Sequence, residues 1–322
     1  MDARSSLPLD VGIFRTTLLP NLIFHTTLAL PTYFLARSTN YLEAKDLLWS
    51  SGQVANAWYA SIGRRVLFAD VPLRLALRSL SKPGYLVLSG VTLWGARLFY
   101  RVASRALRRG SDDARYTNAK TADGFWNRAL FTLFLPEALA QAVISLPFTA
   151  PFTHVGPVLI CPRELGMWLE ALAIGMWSMG MALEVIADSQ LESHKQSGDV
   201  GLCTKGVWSI VRHPNYLGDA VIHASFPLLL YSHCLLSPWV LLGPLTNWFF
   251  LRYISGDKEN EHSQEERYLD DPEKKVDLEV YRMEKNAFWP SITELGNSWT
   301  WYIVGLGFVG VGLERVVQLV LQ

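Results

Sequence analysis

LGMWLEALAIGMWSMGMALEVIA, residues 165–187, decides the fold class. Only Glu170 and Glu184 interrupt an otherwise uncharged run. A bilayer core takes about 20 apolar residues in helical form, because lipid-exposed backbone has no water to pair its amides. The segment is therefore predicted to cross a membrane as a helix. Working outward with the same length test, residues 15–36, 83–102, 127–150, 216–234, 236–254 and 299–321 also qualify. The expected fold is an all-α, polytopic membrane helical bundle of about seven transmembrane helices. Residues 55–80 carry Arg64, Arg65, Arg74 and Arg78 among apolar side chains, which suits either a short span or an interfacial helix.

Composition agrees. Of 322 residues, 50% are hydrophobic and only 18% charged, against about a quarter charged in a soluble domain. Lys plus Arg number 29 and Asp plus Glu number 29, so a general nucleic-acid surface has no electrostatic basis. Cys161, Cys203 and Cys234 are odd in number, with no CxxC, and read as free packing thiols. The start, MDARSSLPLDVG, lacks the basic opening of a cleaved signal peptide. The first apolar segment is accordingly expected to be retained as a membrane helix.

The positive-inside rule orients the bundle. RVASRALRRGSDDARYTNAK, with Arg101, Arg105, Arg108, Arg109, Arg115 and Lys120, follows the second span and belongs in the cytosol. Parity then puts residues 188–215 and 255–297 on that side, with Pro151, Pro157 and the Ser237-Pro238 turn opposite. Three regions are expected: residues 1–82, an N-terminal membrane helix plus amphipathic segment; residues 83–297, the main membrane domain with its cytosolic loops; and residues 298–322, a C-terminal span.

Three polar clusters fall at the cytosolic mouth. In EVIADSQLESHK, Glu184, Asp188 and Lys195 share one helical face provided the helix continues. In GLCTKGVWSIVRHPNYLGDAVIH, Lys205, Arg212, His213, Asn215, Tyr216 and Asp219 crowd into fifteen residues. Cations, carboxylates and an amide together suit a ligand with phosphates, riboses and an amide of its own. The ordinary alternatives are a capped helix end and an Arg-Pro helix start, although Asp219 and His223 are costly at that depth. The third cluster, SGDKENEHSQEERYLDDPEKKVDLEVYRMEKNAFWP, holds Glu261, His262, Glu265, Glu266, Arg267, Tyr268 and Tyr281. A charge run of this kind is also what a solvated surface looks like. No HExxH, GxxxxGK[ST] or GxSxG occurs and no GxGxxG follows a strand, so neither a metal centre nor a soluble nucleotide fold is expected. The residues alone point to a polar pocket for a nucleotide-like ligand beside an apolar cavity, and name no reaction.

GLCTKGVWSIVRHPNYLGD, EVIADSQLESHK, LWGARLFYRVASRALRRG, SGDKENEHSQEERYLDD and YRMEKNAFWP, across residues 85–290, together resemble the DUF1295 branch of the steroid 5-alpha-reductase-like membrane proteins. RHPNYLGD is also similar to the sterol C14 and C24 reductases, and RHPxY alone would fit the isoprenylcysteine carboxyl methyltransferases. The resemblance implies an endoplasmic reticulum bundle that holds NADPH on its cytosolic side and reduces a carbon-carbon double bond in a steroid, sterol or other isoprenoid-like lipid. It carries cofactor contact onto Arg109, Glu184, Asp188, Lys195, Asn215, Asp219 and Tyr268. Arg212, His213, Tyr216 and Glu261 join them from the same motifs. Lys195, Arg109 and Arg212 would meet phosphates, Asp188 and Glu184 ribose hydroxyls, and Asn215 an amide.

Departures from the family pattern are specific. Trp94 stands where the steroid reductases have a catalytic tyrosine, their N-terminal substrate glutamate has no counterpart before Lys82, and Asp257 occupies a position that is cationic in the family. The proton donor is thus unassigned, with Tyr100, His213 and Tyr216 as candidates. Two other readings stay open: an S-adenosylmethionine-dependent isoprenylcysteine-type methyltransferase using RHPNY, Glu261, Glu265 and Tyr281, and a non-catalytic membrane scaffold.

Overall fold

The computed structural model describes residues 12–113, 116–198, 201–254 and 256–321. Arg115, Ser255 and the opening MDARSSLPLDV, which entered the sequence reading, lie outside them. The chain is all-helical, with 81% of residues in helix and no strand among those described. Its contacts divide it into two units, residues 1–161 with 233–246, and residues 162–232 with 247–322.

In the first unit a π turn, Phe14–Leu18, leads into α1, Leu19–Thr39, which ends at Asn40 in the left-handed region (φ 54°). Next come α2, Ala44–Trp58, a π turn, Tyr59–Gly63, and α3, Arg64–Phe68, forming one continuous helical stretch. Asp70 at φ 51° and the following Pro72 break it before α4, Leu73–Arg78. Residues 55–80 are therefore not one amphipathic helix: the helix begins earlier, at Ala44, and stops at Phe68.

Ser81 caps α5, Lys82–Arg109, by accepting from the Gly84 N–H, and Gly110 terminates it at φ 65°, where glycine carries no Cβ penalty. Then follow α6, Thr117–Lys120, α7, Phe125–Ala129, a π turn, Leu130–Phe134, α8, Leu135–Ile144, and α9, Leu146–Thr153. The expected span 127–150 is in fact a pair, Phe125–Ile144 and Leu146–Thr153, bent by 56° at Ser145. Pro147, just inside α9, cannot donate to the preceding turn.

The second unit opens on α10, Arg163–Gln196, so the deciding segment is helical and runs on through Asp188 and Lys195. It packs against α11, Pro214–Ser232. The two backbones approach closely at Gly180 and Gly218: a Cβ on Gly218 would stand 2.7 Å from Gly180 O and 2.8 Å from Glu184 Cγ. Small residues at such a crossing allow the backbone contact that drives helix association in lipid.

The expected span 236–254 is segmented into a 3-10 turn, Pro238–Leu241, α12, Leu242–Phe249, and a π turn, Phe250–Ile254. The charge-dense run that follows is two helices, α13, Asp257–Arg267, and α14, Pro272–Glu284. Asp271 caps α14 by accepting from Lys274 N–H. α15, Ser298–Leu321, completes the unit against α10. By length and apolarity two helices among the described residues can cross a membrane, Arg163–Gln196 and Ser298–Val320, and the bent pair makes a third if it is one span.

Candidate functional site

The second unit contains most of the residues singled out from the sequence, some of them in two polar groups. At the α10–α11 crossing, Glu184 and Asp219 are both buried. Asp219 Oδ1 accepts from Asn247 Nδ2 at 2.6 Å, and His223 Nδ1 stands 3.1 Å from the same oxygen. Asn247 and His223 are fully buried. Asn247 was missed from the sequence, and its signal was a lone amide inside LGPLTNWF.

The start of α11 is anchored from the other direction. Arg212 donates through Nε (3.0 Å) and Nη2 (2.8 Å) to Glu261 Oε1, and through Nη1 to the carbonyls of Lys285 (2.8 Å) and Arg282 (3.2 Å). Those contacts engage four of the five guanidinium N–H groups. The role at a phosphate expected for Arg212 is thus replaced by a clasp that ties α13 and the end of α14 to the RHPNY turn. His213 Nε2 lies 3.0 Å from the same Glu261 oxygen, and its ring stacks on Tyr216 at 5.7 Å. Arg282 reaches Glu265 at 2.6 Å and Glu261 Oε2 at 3.5 Å.

Burial raises the Glu261 pKa, but hydrogen bonds from His213 and Arg212 outweigh it and bring the carboxyl down to about 2. Tyr281 donates to Trp208 O at 2.6 Å, and burial pushes its hydroxyl up. Tyr216 OH receives Asn260 Nδ2.

Asn215, in the first turn of α11, differs from its neighbours: its side-chain Oδ1 is buried with no hydrogen-bond partner among the described residues. An orphaned buried acceptor is uncommon and calls for an N–H from elsewhere. Asp188 is half-buried on α10 and Lys195 is exposed near the end of that helix. Tyr268 caps the end of α13 and has Lys274 Nζ 5.9 Å from its ring centroid.

Two candidates belong to the first unit. Arg109 is bound to Glu43 at 3.0 Å and Asp113 at 3.3 Å, an ion-pair network rather than an open anion site. Tyr100 is 74% exposed. Trp94 is fully buried.

The second unit is all-helical: two long apolar helices, α10 and α15, pack together, a buried polar focus lies at the α10–α11 crossing, and two charged helices, α13 and α14, follow. A family model for proteins of unknown function, DUF1295, matches residues 32–276, most of the chain, and the protein belongs to that family. No curated protein and no solved structure matches it.

Proposed function

We propose that the protein is an NADPH-dependent reductase of a carbon-carbon double bond in a steroid, sterol or other isoprenoid-like lipid, working at the cytosolic mouth of a bundle of about seven membrane spans in the endoplasmic reticulum. The observation that carries this reading is the orphaned Asn215 Oδ1 at the start of α11. A carboxamide NH2, as in nicotinamide, is the kind of donor that satisfies it. The remaining donor set also suits the cofactor: Asp188 can accept ribose hydroxyls, Lys195 can face phosphate at the end of α10, and the N-terminus of α11 favours negative charge. Bound there, the dinucleotide would supply hydride.

The chain's own part is positioning. The clasp of Glu261 by Arg212 and His213 fixes the turn that presents Asn215. The Gly180–Gly218 crossing packs α10 closely on α11 and Asn247 bonds to Asp219, so that Asp188 and Asn215 come from packed helices rather than from loops. The methyltransferase reading is less favoured, because the Glu261 carboxylate and Tyr281 hydroxyl it would use are already engaged within the chain.

A turnover screen tests the proposal. Purified protein is given enone steroids, sterol dienes and other isoprenoid alkenes, and NADPH consumption is followed. Consumption that depends on one substrate class and is lost in Asn215→Ala supports the reading. A co-purified S-adenosyl compound would replace it with the methyltransferase, and an empty, inert protein with the scaffold.

A further inference from the structure

The first unit encloses a cavity of roughly 10 Å3 between α1, α2 and α8, about the smallest space that admits one water-sized group. His25, Lys45, Glu137 and Gln141 are the polar members of its wall. Lys45 and Glu137 satisfy each other at 2.6 Å. Gln141 is different: it is 4% exposed and its Oε1 has no hydrogen-bond partner among the described residues.

His25, also buried, has Nε2 3.3 Å from Asn56 Nδ2 and 3.0 Å from Ser145 Oγ. An amide nitrogen only donates, so Nε2 accepts and the ring proton sits on Nδ1. Gly52 faces both residues. A Cβ placed on it would lie 3.1 Å from Gln141 Oε1 and 3.4 Å from His25 Nδ1. The two polar atoms therefore lie no more than 6.5 Å apart beside Gly52, a span that one bridging oxygen can cover with two hydrogen bonds.

One atom that both donates and accepts is the oxygen of a hydroxyl. A ketone or ether accepts from His25 but leaves Gln141 Oε1 unpaired, and an ammonium does the reverse. We propose that this cavity binds a single hydroxyl group, from water or from a lipid alcohol, bridging His25 Nδ1–H and Gln141 Oε1. Glycine at position 52 keeps the space open. The site stands on residues separate from those of the cofactor reading, so either can fail without the other.

The test uses full-length protein in detergent, as wild type, Gly52→Ala and Gln141→Leu, the last keeping the fold testable should the added methyl disturb α2. Thermal unfolding is followed with dodecan-1-ol and with its methyl ether. If a lipid alcohol is the occupant, dodecan-1-ol at ten times its Kd raises the wild-type midpoint by about 2 °C. The ether then has no effect, and both variants are insensitive. If water is the occupant, neither additive moves the midpoint, and a high-resolution structure shows one ordered oxygen between His25 and Gln141 that is lost in Gly52→Ala. An alcohol shift that persists in both variants, or equal responses to alcohol and ether with no ordered oxygen between the two side chains, overturns the proposal.

Discussion

The two units bury polar side chains in contrasting ways. In the first, the ion pair of Lys45 with Glu137, joined by Asp46 at 3.2 Å and by Tyr116 OH on Asp46 at 2.8 Å, is drawn from α2, α8 and a loop, one residue here and another there. In the second, the polar residues come in dense sequence motifs, and Arg212, His213 and Arg282 meet on one carboxylate, Glu261. Buried ion pairs contribute little net stability yet are costly to break, because the surviving charge is left without a partner. The first unit is therefore expected to be sensitive to loss of a charge. The second is expected to be sensitive where a hydrogen bond ties one segment to another.

The largest effect is predicted for Lys45→Met, which leaves half-buried Glu137 and Asp46 without their cation and should destabilise the protein by about 3 kcal/mol. Lys45→Met combined with Glu137→Leu should recover much of that loss, giving a large coupling in a double-mutant cycle read by chemical unfolding in detergent. Additive effects would show that the pair is not one unit.

Arg212→Ala should come next, at roughly 2–3 kcal/mol, since it removes charge-assisted bonds to Glu261 and leaves the Lys285 and Arg282 carbonyls unpaired. Arg212→Lys should rescue little, because an ammonium cannot span these acceptors as a planar fork does. Hydrogen exchange in α13 and α14 is the readout, and exchange unchanged in both variants would remove the clasp.

A smaller, pH-dependent effect should follow from Glu261. Its folded pKa of about 2 lies below the ordinary 4.5, so the stability it contributes is fully present above 4.5 and is lost as pH falls toward 2. Acid should loosen α13 in the wild type across that window. In Glu261→Gln the pH dependence should flatten there, measured by the same exchange experiment.

Much of this contrast was legible in the sequence where hydropathy and motif agree. Residues 165–187 and 299–321 are helices because each is apolar for long enough to need no partner pattern. The Glu184, Asp188 and Lys195 face needed only that α10 continue, and it does. The first unit was harder to read. Ser50, Gln53 and Asn56 of α2 point inward, so the helix has neither an apolar run nor an ordinary amphipathic face, and hydropathy passes over it. Ser145-Leu146-Pro147 splits a run that hydropathy counts as one span. The partner of Arg212 was equally hidden, because Glu261 lies 49 residues away and one charge in a charge-dense run looks like any other. Asn215 was visible as an amide in RHPNY, but only the packing shows that its oxygen is orphaned.

The most direct measurement is the affinity of the purified full-length protein for NADPH by isothermal titration, in wild type, Asn215→Ala and Asp188→Ala, with thermal unfolding of each as a control. The account predicts saturable binding in the wild type, at least a tenfold loss in each variant from roughly 1.4 kcal/mol per missing polar contact, and unfolding midpoints that stay together. Undiminished affinity in both variants, or no binding by the folded wild type, would contradict it.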